Sequence, residues 1–394
     1  MLLRYSLRTS LFLALFLGFN AKASDTNVDF GIHHQYEGSR PLGMGDAFVA
    51  VANDYNALLY NPAGLARRED GEMNLFMDVE AASNFQTFNS DASAASGTTG
   101  TDTQKQQAMF DLLQKEYGKA IGVRSTLFAG FLVEPKWGVA IIPADVTIEG
   151  TFHQGVGPTL NATVFADTTV AAGYGDDLRG WVPGRLSWGV TGKVINRGYF
   201  SKSMNFVELA ANSTLVQTSD LHEGLGVDGD VGFLYTPYIP REGFFSLFEL
   251  ARPTFGLVVR NVAQSTFSNS VHWINKSDTT PPQQLYRVVD IGSKWEYPSF
   301  WIFGGRGVLD IRDIGHPEFN LHKGLHAGFE FDWAVANWWK GAYRVGYSEG
   351  YLTAGVSAMF ALFNLDVLTY SEDLGTYSTP VENRMYAIRL NINW

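Results

Sequence analysis

Polar and apolar residues alternate strictly in the last segment of the chain. Its apolar face consists of Tyr386, Ile388, Leu390, Ile392 and Trp394. The positions between them carry alanine, arginine and two asparagines. A period of two residues predicts a β-strand with one apolar and one polar face. The same period recurs upstream, at 73–80, 186–191, 289–295 and 325–332. The chain is therefore predicted to be all-β.

The final strand fits two kinds of β-protein. In a soluble sandwich it would be an ordinary half-buried strand. A transmembrane barrel strand instead alternates lipid-facing apolar residues with lumen-facing polar residues over about ten positions. A strand that ends on an aromatic residue, here Trp394, resembles the signal read by the bacterial barrel-assembly machinery. We therefore predict a transmembrane antiparallel β-barrel whose partners include outer-membrane lipid and, through residues 386–394, that machinery.

Connection lengths predict the number of strands. Single-chain bacterial barrels have even strand numbers, short periplasmic turns and longer external loops. The strand count over residues 72–394 stays even only if the ambiguous stretch 200–223 is an external excursion. This predicts about fourteen strands, with both termini periplasmic. The predicted long external connections are 82–122, 264–284 and 313–320.

The N-terminus has the layout of a secretory signal peptide over residues 1–23. Two arginines precede an apolar run, and Ala21-Lys22-Ala23 follows it. We predict cleavage before Ser24, and hence export. The alternative is a membrane anchor, but the run has about nine residues and a helical span needs roughly 20.

Composition narrows the class of function. The sequence contains 41 glycines, 14% aromatic residues and only 18% charged residues, which favours turns and strands. It contains no cysteine, so disulfides and thiolate metal sites are excluded. The net charge of −11 argues against nucleic-acid binding, which favours a basic surface.

The first external loop, 82–122, has two parts. Residues 91–103 are rich in serine, threonine, glycine and alanine, which predicts a flexible segment. Residues 104–117 carry Met109, Leu112 and Leu113 at helical spacing, which predicts a short helix. This helix could be a lid over the external mouth or a decoration of the loop.

A segment without alternation, 24–71, lies between the signal peptide and the first strand. It contains Leu42-Gly43-Met44-Gly45-Asp46-Ala47 and Asn61-Pro62-Ala63-Gly64-Leu65. Glycines permit tight backbone paths and Asn-Pro-Ala-Gly is turn chemistry, so the segment is predicted to be compact. A compact segment before a barrel predicts a plug.

These two motifs resemble the FadL-like outer-membrane family, which comprises channels for long-chain fatty acids and aromatic hydrocarbons. The strand 325–333 and the segment 256–261 are more similar to the PorV and UPF0164 types. The resemblance implies that residues 24–71 form a hatch inside a fourteen-stranded barrel. The hatch residues carried over by the resemblance are Gly43, Gly45, Asp46, Asn61, Pro62, Ala63 and Gly64.

Alternation also predicts which side chains face the lumen. The charged members carry both signs, so they are expected to pair with one another and with the hatch; a ring of one sign would instead predict an ion-selective pore. The predicted charged set is Arg260, Asp290, Arg306, Asp310, Glu330, Arg344 and Arg389. The predicted apolar positions, where an acyl chain could lie, are Phe128, Leu132, Leu234, Val258 and Leu368.

No motif in the sequence singles out catalytic, metal or cofactor chemistry. Gly224-Leu225-Gly226-Val227-Asp228-Gly229 fits a dinucleotide pattern, but a strand follows it where the fingerprint requires a helix. His33-His34 has no third ligand at a telling spacing, whereas metal sites need three or four. We therefore predict no catalytic residue, no metal and no cofactor.

The sequence supports three functions in order of preference. The first is an outer-membrane channel that passes hydrophobic small molecules, such as long-chain fatty acids, by diffusion past the hatch. The second, from the PorV-like features, is a structural or shuttle barrel that binds secreted or conjugative-system proteins. An outer-membrane hydrolase is a distant third, so the chain is predicted not to be an enzyme.

Overall fold

A computed structural model describes residues 30–154, 157–211, 218–240, 242, 246–275 and 280–394. The predicted signal peptide and its cleavage site lie outside these residues. In the described part of the chain, no helix is both long and apolar enough to cross a membrane.

Fourteen antiparallel strands close into one barrel, in which each strand pairs with its sequence neighbours and β1 pairs with β14. This confirms the predicted fold class and strand number. The strands are β1 Glu72–Ala82, β2 Ala120–Glu134, β3 Trp137–Gln154, β4 Pro158–Asp177, β5 Gly184–Asn205, β6 His222–Pro237, β7 Thr254–Arg260, β8 Val288–Phe300, β9 Phe303–Ile314, β10 Leu325–Ala336, β11 Trp339–Ser348, β12 Tyr351–Phe360, β13 Phe363–Asp373 and β14 Glu382–Asn393.

The two faces of the wall differ in chemistry as alternation requires. On β14, Tyr386 and Ile388 are each 58% exposed, whereas Ala387 and Arg389 are buried. The apolar side chains thus point away from the barrel and the polar ones point into it. An apolar outer belt over a polar interior is the pattern of a barrel that faces lipid.

A bulge in β2 overturns two of the predicted lumen-facing positions. Leu127 and Phe128 both oppose the single residue Met77 of β1, because the pairing shifts between Phe76 and Asp78. One extra residue moves every later side chain to the other face. Phe128 is therefore 72% exposed on the outer surface. Leu132 is also directed outward, because its neighbours Phe131 and Val133 carry the inward face.

Most connections follow the prediction that short turns and long loops lie at opposite ends of the barrel; among the exceptions are the connections from β6 to β7 and from β11 to β12. Tight turns join β2 to β3, β8 to β9, β10 to β11 and β12 to β13 at the end where β14 finishes. Longer connections lie at the opposite end, at 83–119, 261–287 and 315–324. Between β5 and β6, the described residues form a short helix at 206–211 and a 3₁₀ turn at 218–220, so they add no spanning strand.

The described helices are short. They are α1 Ser39–Gly43, α2 Ala57–Tyr60, α3 Phe85–Ser96, α4 Asp102–Lys115, α5 Phe206–Ala211, α6 Ser246–Ala251 and α7 Leu321–Gly324, with a 3₁₀ helix at Pro62–Arg67 and a single 3₁₀ turn at Thr218–Asp220. The helix predicted at 104–117 corresponds to α4, whose N-terminus is closed by a capping box between Thr101 and Gln104. The low-complexity stretch is helical as far as Ser96, contrary to the expectation of a flexible segment. Its alanines favour helix, and Phe88 in α3 packs on Phe152 of β3.

Residues 30–71, here called the lumenal segment, lie inside the barrel. Five of its apolar side chains are fully buried: Met44, Ala47, Phe48, Leu58 and Leu65. The segment contacts β11–β13 through α1 and β3–β6 through the 3₁₀ helix. Its apolar side chains share one cluster with inward residues of the wall, so the interior of the barrel is packed.

Candidate functional site

Glycines of the wall form the seat of the Gly43-Met44-Gly45 backbone. A Cβ atom on Gly328 of β10 would lie 2.1 Å from the carbonyl oxygen of Met44. One on Gly346 of β11 would lie 2.2 Å from the amide nitrogen of Gly45. Gly45 itself has a φ of +68°, which glycine adopts without steric cost. Backbone therefore contacts backbone at Gly328 and Gly346, and no side chain fits at these two wall positions.

The Asn61-Pro62-Ala63 motif contacts the wall on the other side of the lumen. The Asn61 side chain accepts a hydrogen bond from the amide of Ala63, at 3.1 Å, and caps the 3₁₀ helix. Its amide group donates to the carbonyl of Phe233 in β6, at 3.2 Å. Gly189 of β5 and Gly232 of β6 leave the space that Pro62 and Asn61 occupy. The motif therefore both caps the N-terminus of the 3₁₀ helix and binds the wall.

Buried ion pairs join the lumenal segment to opposite walls. Asp46 pairs with Arg312 of β9, whose guanidinium also donates to the Asp46 carbonyl at 2.9 Å. Asp46 further accepts a hydrogen bond from the Tyr60 hydroxyl, at 2.6 Å. Glu37 pairs with Arg124 of β2. These contacts fix the segment by charge as well as by shape.

Glu330 of β10 forms ion pairs with three guanidinium groups. Arg40 of the lumenal segment and Arg344 of β11 each approach its carboxylate at 2.7 Å, and Arg306 of β9 approaches at 3.2 Å. Arg40 also pairs with Asp54 at 2.8 Å, within the segment. The predicted mutual pairing of lumenal charges is observed at this cluster.

The remaining predicted charges also face inward. Arg260 pairs with Asp290 at 2.6 Å, and Arg389 pairs with Asp78 and donates to the Glu37 carbonyl at 2.8 Å. The Asp310 carboxylate accepts the amide of Val49 in the lumenal segment, at 2.8 Å.

Three of the predicted apolar positions are lumen-facing and buried under protein. Leu234 and Val258 have at most 1% exposed surface, and Leu368 packs in a cluster with Leu42 of α1. Their predicted contact with a ligand stays a prediction.

Two histidines hold the first residues of the lumenal segment against the wall. The His33 ring stacks on Phe165 of β4 with centroids 3.7 Å apart, and its Nε2 lies 3.3 Å from Asp167. Burial outweighs the attraction of Asp167 and lowers the pKa of His33 to about 4. His33 is therefore neutral at pH 7.

His34 lies between two carboxylates, with Nδ1 at 3.1 Å from Glu37 and Nε2 at 3.1 Å from Asp313 of β9. Burial alone would lower the pKa of His34, but Asp313 and Glu37 outweigh burial and raise it from 6.5 to about 9. His34 is thus a buried cation that links the segment to β9.

Raising the pH from 6.5 through about 9 is expected to weaken this link. A folded-state pKa above the unfolded value stabilises the protein fully below pH 6.5, and the gain is lost as pH rises through about 9. The loss amounts to roughly 3 kcal/mol. Unfolding free energies measured across this range should fall in the wild type and stay flatter in His34→Gln. Parallel curves for the two proteins would contradict the assignment.

His34, Glu37 and Asp46 also bring possible ligand atoms within 4.8 Å of one another. Both carboxylates, however, already carry guanidinium partners, Arg124 and Arg312. A cation would have to displace them. The cluster is better described as an ion-pair network than as a metal centre.

Of the cavities that border the lumenal segment, two lie at opposite ends. The larger, about 530 Å³, opens at the end where the chain terminates. Its lining is mostly charged and amide side chains, together with Trp333 and Trp394. The smaller, about 40 Å³, lies between His33, Arg197 and Asp313 toward the other end and has room for a few water molecules. Neither is an apolar tunnel.

The sequence analysis did not predict several residues of these networks. Asp167 of β4 and Arg197 of β5 are direct cross-strand partners, at 2.6 Å. The available signal was a pair of opposite charges on consecutive strands. Ser348 lies 3.2 Å from Nδ1 of His326, but both are buried beneath the segment, so this pair is not a nucleophile at the rim.

Taken together, these features define a class: a closed fourteen-stranded barrel with an apolar outer belt and an internal N-terminal segment. No family model matches the sequence, and no curated protein matches it. Among solved structures, the chain is similar to the toluene transporter TbuX of Ralstonia pickettii, at 11% identity and a TM-score of 0.44, over 91% of this chain and 98% of that one. It is also similar to a Pseudomonas aeruginosa FadL homologue, at 9% identity and a TM-score of 0.43, over 92% and 99%. A third similar structure is the monoaromatic hydrocarbon channel CymD, at 10% identity and a TM-score of 0.44, over 90% of this chain and 95% of that one.

Proposed function

We propose that this chain is an outer-membrane channel through which hydrophobic small molecules, such as long-chain fatty acids, diffuse past the lumenal segment. The observation that carries the proposal is a compact segment, attached by no covalent cross-link, that fills the lumen of a lipid-facing barrel. The signal peptide exports the chain, the barrel-assembly machinery reads the strand ending on Trp394, and both termini lie in the periplasm.

Passage requires the lumenal segment to move, because its described contacts fill the space between opposite walls. The hatch residues Gly43, Gly45 and Asp46 hold one side, and residues 61–64 hold the other. The polar cavity beside Arg40 gives the segment room on the periplasmic side. Because the lumenal wall carries many charges, an apolar molecule is expected to pass through it transiently and not to bind there stably.

The experiment is uptake of radiolabelled oleate by cells that lack their own fatty-acid channels. The chain has no cysteine, so Gly43→Cys with Gly355→Cys can staple the lumenal segment to β12; the Cβ position of Gly43 lies 3.5 Å from Cα of Gly355. We expect uptake with the wild type and with the reduced pair, and loss of uptake when the pair is oxidised. Val345→Cys with Ala354→Cys, which staples β11 to β12, is the control. Uptake equal to that of cells without the gene would overturn the proposal.

A second function is supported by the external end. β3, β4 and β5 have 18, 20 and 22 residues, well beyond the roughly ten that a bilayer requires. Helices α4 and α5 pack on their projecting parts through Leu113 and Leu209, around a separate apolar core. A folded external platform suits a secreted protein partner. Stoichiometric capture of one protein through this platform, lost when 85–115 is replaced by a short linker, would favour it.

A further inference from the structure

A small acidic cavity lies at the external end of the barrel, beside the first residues of the lumenal segment. Its volume is about 10 Å³, close to the space that one water molecule or one metal ion needs. Gly31 and Ile32 of the lumenal segment form part of its lining. Five carboxylates line the rest of it, those of Glu37, Glu149, Glu349, Glu372 and Asp373.

Carboxylates outnumber cations around this cavity. The cations in its lining are Arg124 and His34, and both are paired with Glu37. Within the described part of the chain, Glu349, Glu372 and Asp373 form no ion pair. Three carboxylates therefore border one cavity without a counter-charge from the protein.

Lys323 of α7 is buried beside the cavity but does not supply this charge. Its ammonium group donates to the backbone carbonyl oxygens of Phe30 and Gly375. These two residues flank the lining on the lumenal segment and after β13. Lys323 thus joins the two chains through their backbones and leaves the carboxylates unpaired.

Asp373, the last residue of β13, brings an unpartnered oxygen to the cavity. Its side chain is 1% exposed. Oδ1 accepts the amides of Gly375 and Val381, each at 2.9 Å, which fixes the orientation of the carboxylate. Oδ2 has no hydrogen-bond partner among the described residues. A buried carboxylate oxygen without a donor or a cation is costly, so it indicates a ligand.

Two glutamates beside Asp373 each keep a second oxygen for the same ligand. Glu349 lies in the short turn between β11 and β12 and is 9% exposed. One of its carboxylate oxygens accepts the Asp373 amide at 2.7 Å. Glu372 accepts the side-chain amide of Asn383 through one oxygen, at 3.2 Å. Since only one oxygen of each glutamate is held, both carboxylates can turn toward an ion.

The chemistry of these ligands favours a hard divalent cation. Carboxylate oxygens suit Ca²⁺ and Mg²⁺, and the chain contains no cysteine for softer metals. Ca²⁺ takes about six to eight oxygens in irregular geometry, whereas Mg²⁺ demands a near-ideal octahedron and loses its waters reluctantly. Carboxylates of a strand end and a turn, around a cavity with little room for water, fit Ca²⁺ better. The cluster of His34, Glu37 and Asp46 differs, because guanidinium groups already neutralise its carboxylates.

We propose that Asp373, Glu349 and Glu372 bind a calcium ion, and that this ion fixes the start of the lumenal segment to the external rim. The ion joins β13 and the β11–β12 turn to Gly31 and Ile32, which line the same cavity. Its removal leaves like charges facing one another and loosens residues 31–37. The inference does not rest on the proposed function, because a cation site at the rim serves a channel and a partner-binding barrel alike.

Calorimetric titration of the protein in detergent with calcium chloride tests the site. The protein is refolded without lipopolysaccharide, which itself binds divalent cations, and is freed of metal with EGTA. We expect one Ca²⁺ per chain. Asp373→Asn keeps the acceptor for Gly375 and Val381 but removes the charge, so its binding should be weaker by about tenfold or more.

Asp310→Asn is the matched control for this titration. Asp310 is also buried, with one oxygen on the Val49 amide and the other unpartnered, but it does not line the cavity. Its substitution should leave Ca²⁺ binding unchanged. No binding by the wild type, or equal binding by Asp373→Asn and the wild type, would overturn the proposal. Equal affinity for Mg²⁺ would overturn the assignment to calcium.

Hydrogen exchange of the wild type tests the effect of the ion on the lumenal segment. Amides of residues 31–37 should exchange more slowly with saturating Ca²⁺ than with EGTA, whereas those of residues 57–65 should not change. Asp373→Asn should show the faster exchange under both conditions. Exchange of residues 31–37 that does not respond to Ca²⁺ in the wild type would show that no ion holds the segment. Calcium binding and oleate uptake are separate measurements, so the failure of one is distinguishable from the failure of the other.

Discussion

Methyl groups at Gly328 and Gly346 are expected to expel the lumenal segment from its seat while the barrel stays closed. The added carbons would lie 2.1 and 2.2 Å from backbone atoms of Met44 and Gly45, where no rotamer change can relieve the clash. Overpacking of this kind costs typically about 1–3 kcal/mol at each site. Both clashes are relieved by one displacement, so we expect a total of roughly 3 kcal/mol for the pair.

The readouts are ion conductance in planar bilayers and trypsin cleavage at Arg67 and Arg68, at the C-terminal end of the 3₁₀ helix. Both should rise in Gly328→Ala, Gly346→Ala relative to the wild type. Gly192→Ala on β5 is the control, because its Cβ would meet no atom within 4 Å. A double variant that stays nonconducting and resistant to trypsin would show that the segment does not depend on this seat.

Alternation and turn length were sufficient to predict the barrel, because both follow from local geometry. A strand such as β14 has one face toward the outside and one toward the lumen, and residues 386–394 alternate accordingly between apolar and polar side chains. Strand parity then followed from the rule that short and long connections lie at opposite ends. None of this required knowledge of tertiary contacts.

The wrong predictions came from features that a single strand's sequence does not show, such as an inserted residue that exchanges the inward and outward faces. The β2 bulge at Leu127 and Phe128 shows no special residue, since neither is glycine, yet it reversed the faces of Phe128 and Leu132. A bulge is decided by pairing with β1, which alternation in one strand cannot show. The segment 261–275 was likewise predicted only as part of an external connection. Its path depends on the Asp228 carboxylate of β6, which accepts backbone amides 35 and 37 residues later in the chain.

The functional site was predictable as a set of residue types but not as pairs. Asp46 was singled out by its motif, but nothing in the sequence joins it to Arg312, which lies 266 residues away. Pairing arises because the lumenal segment crosses the barrel and meets both walls. The charges of the wall therefore acquire partners from a segment that does not belong to the wall.

Neutralising Asp46 is expected to destabilise the folded protein by about 3–5 kcal/mol, because it leaves the Arg312 cation buried without its counter-charge. Asp46→Asn preserves shape, and asparagine tolerates the left-handed backbone found here, with a φ of 56°. The loss is therefore electrostatic. Asp46→Asn with Arg312→Met removes both charges and should recover at least half of it, since replacing a whole buried pair is often nearly neutral.

Urea unfolding of the protein in vesicles, followed by tryptophan fluorescence, measures Asp46→Asn, Arg312→Met and the double variant. Asp332→Asn is the control, because that side chain is 42% exposed and lies 3.4 Å from Arg306, so its loss should cost less than about 1 kcal/mol. If the double variant were as unstable as the sum of the single variants, Asp46 and Arg312 would not act as a pair. Recovery in the double variant would instead show that the cost lies in the unpaired cation, and that the lumenal segment is held to β9 by this pair.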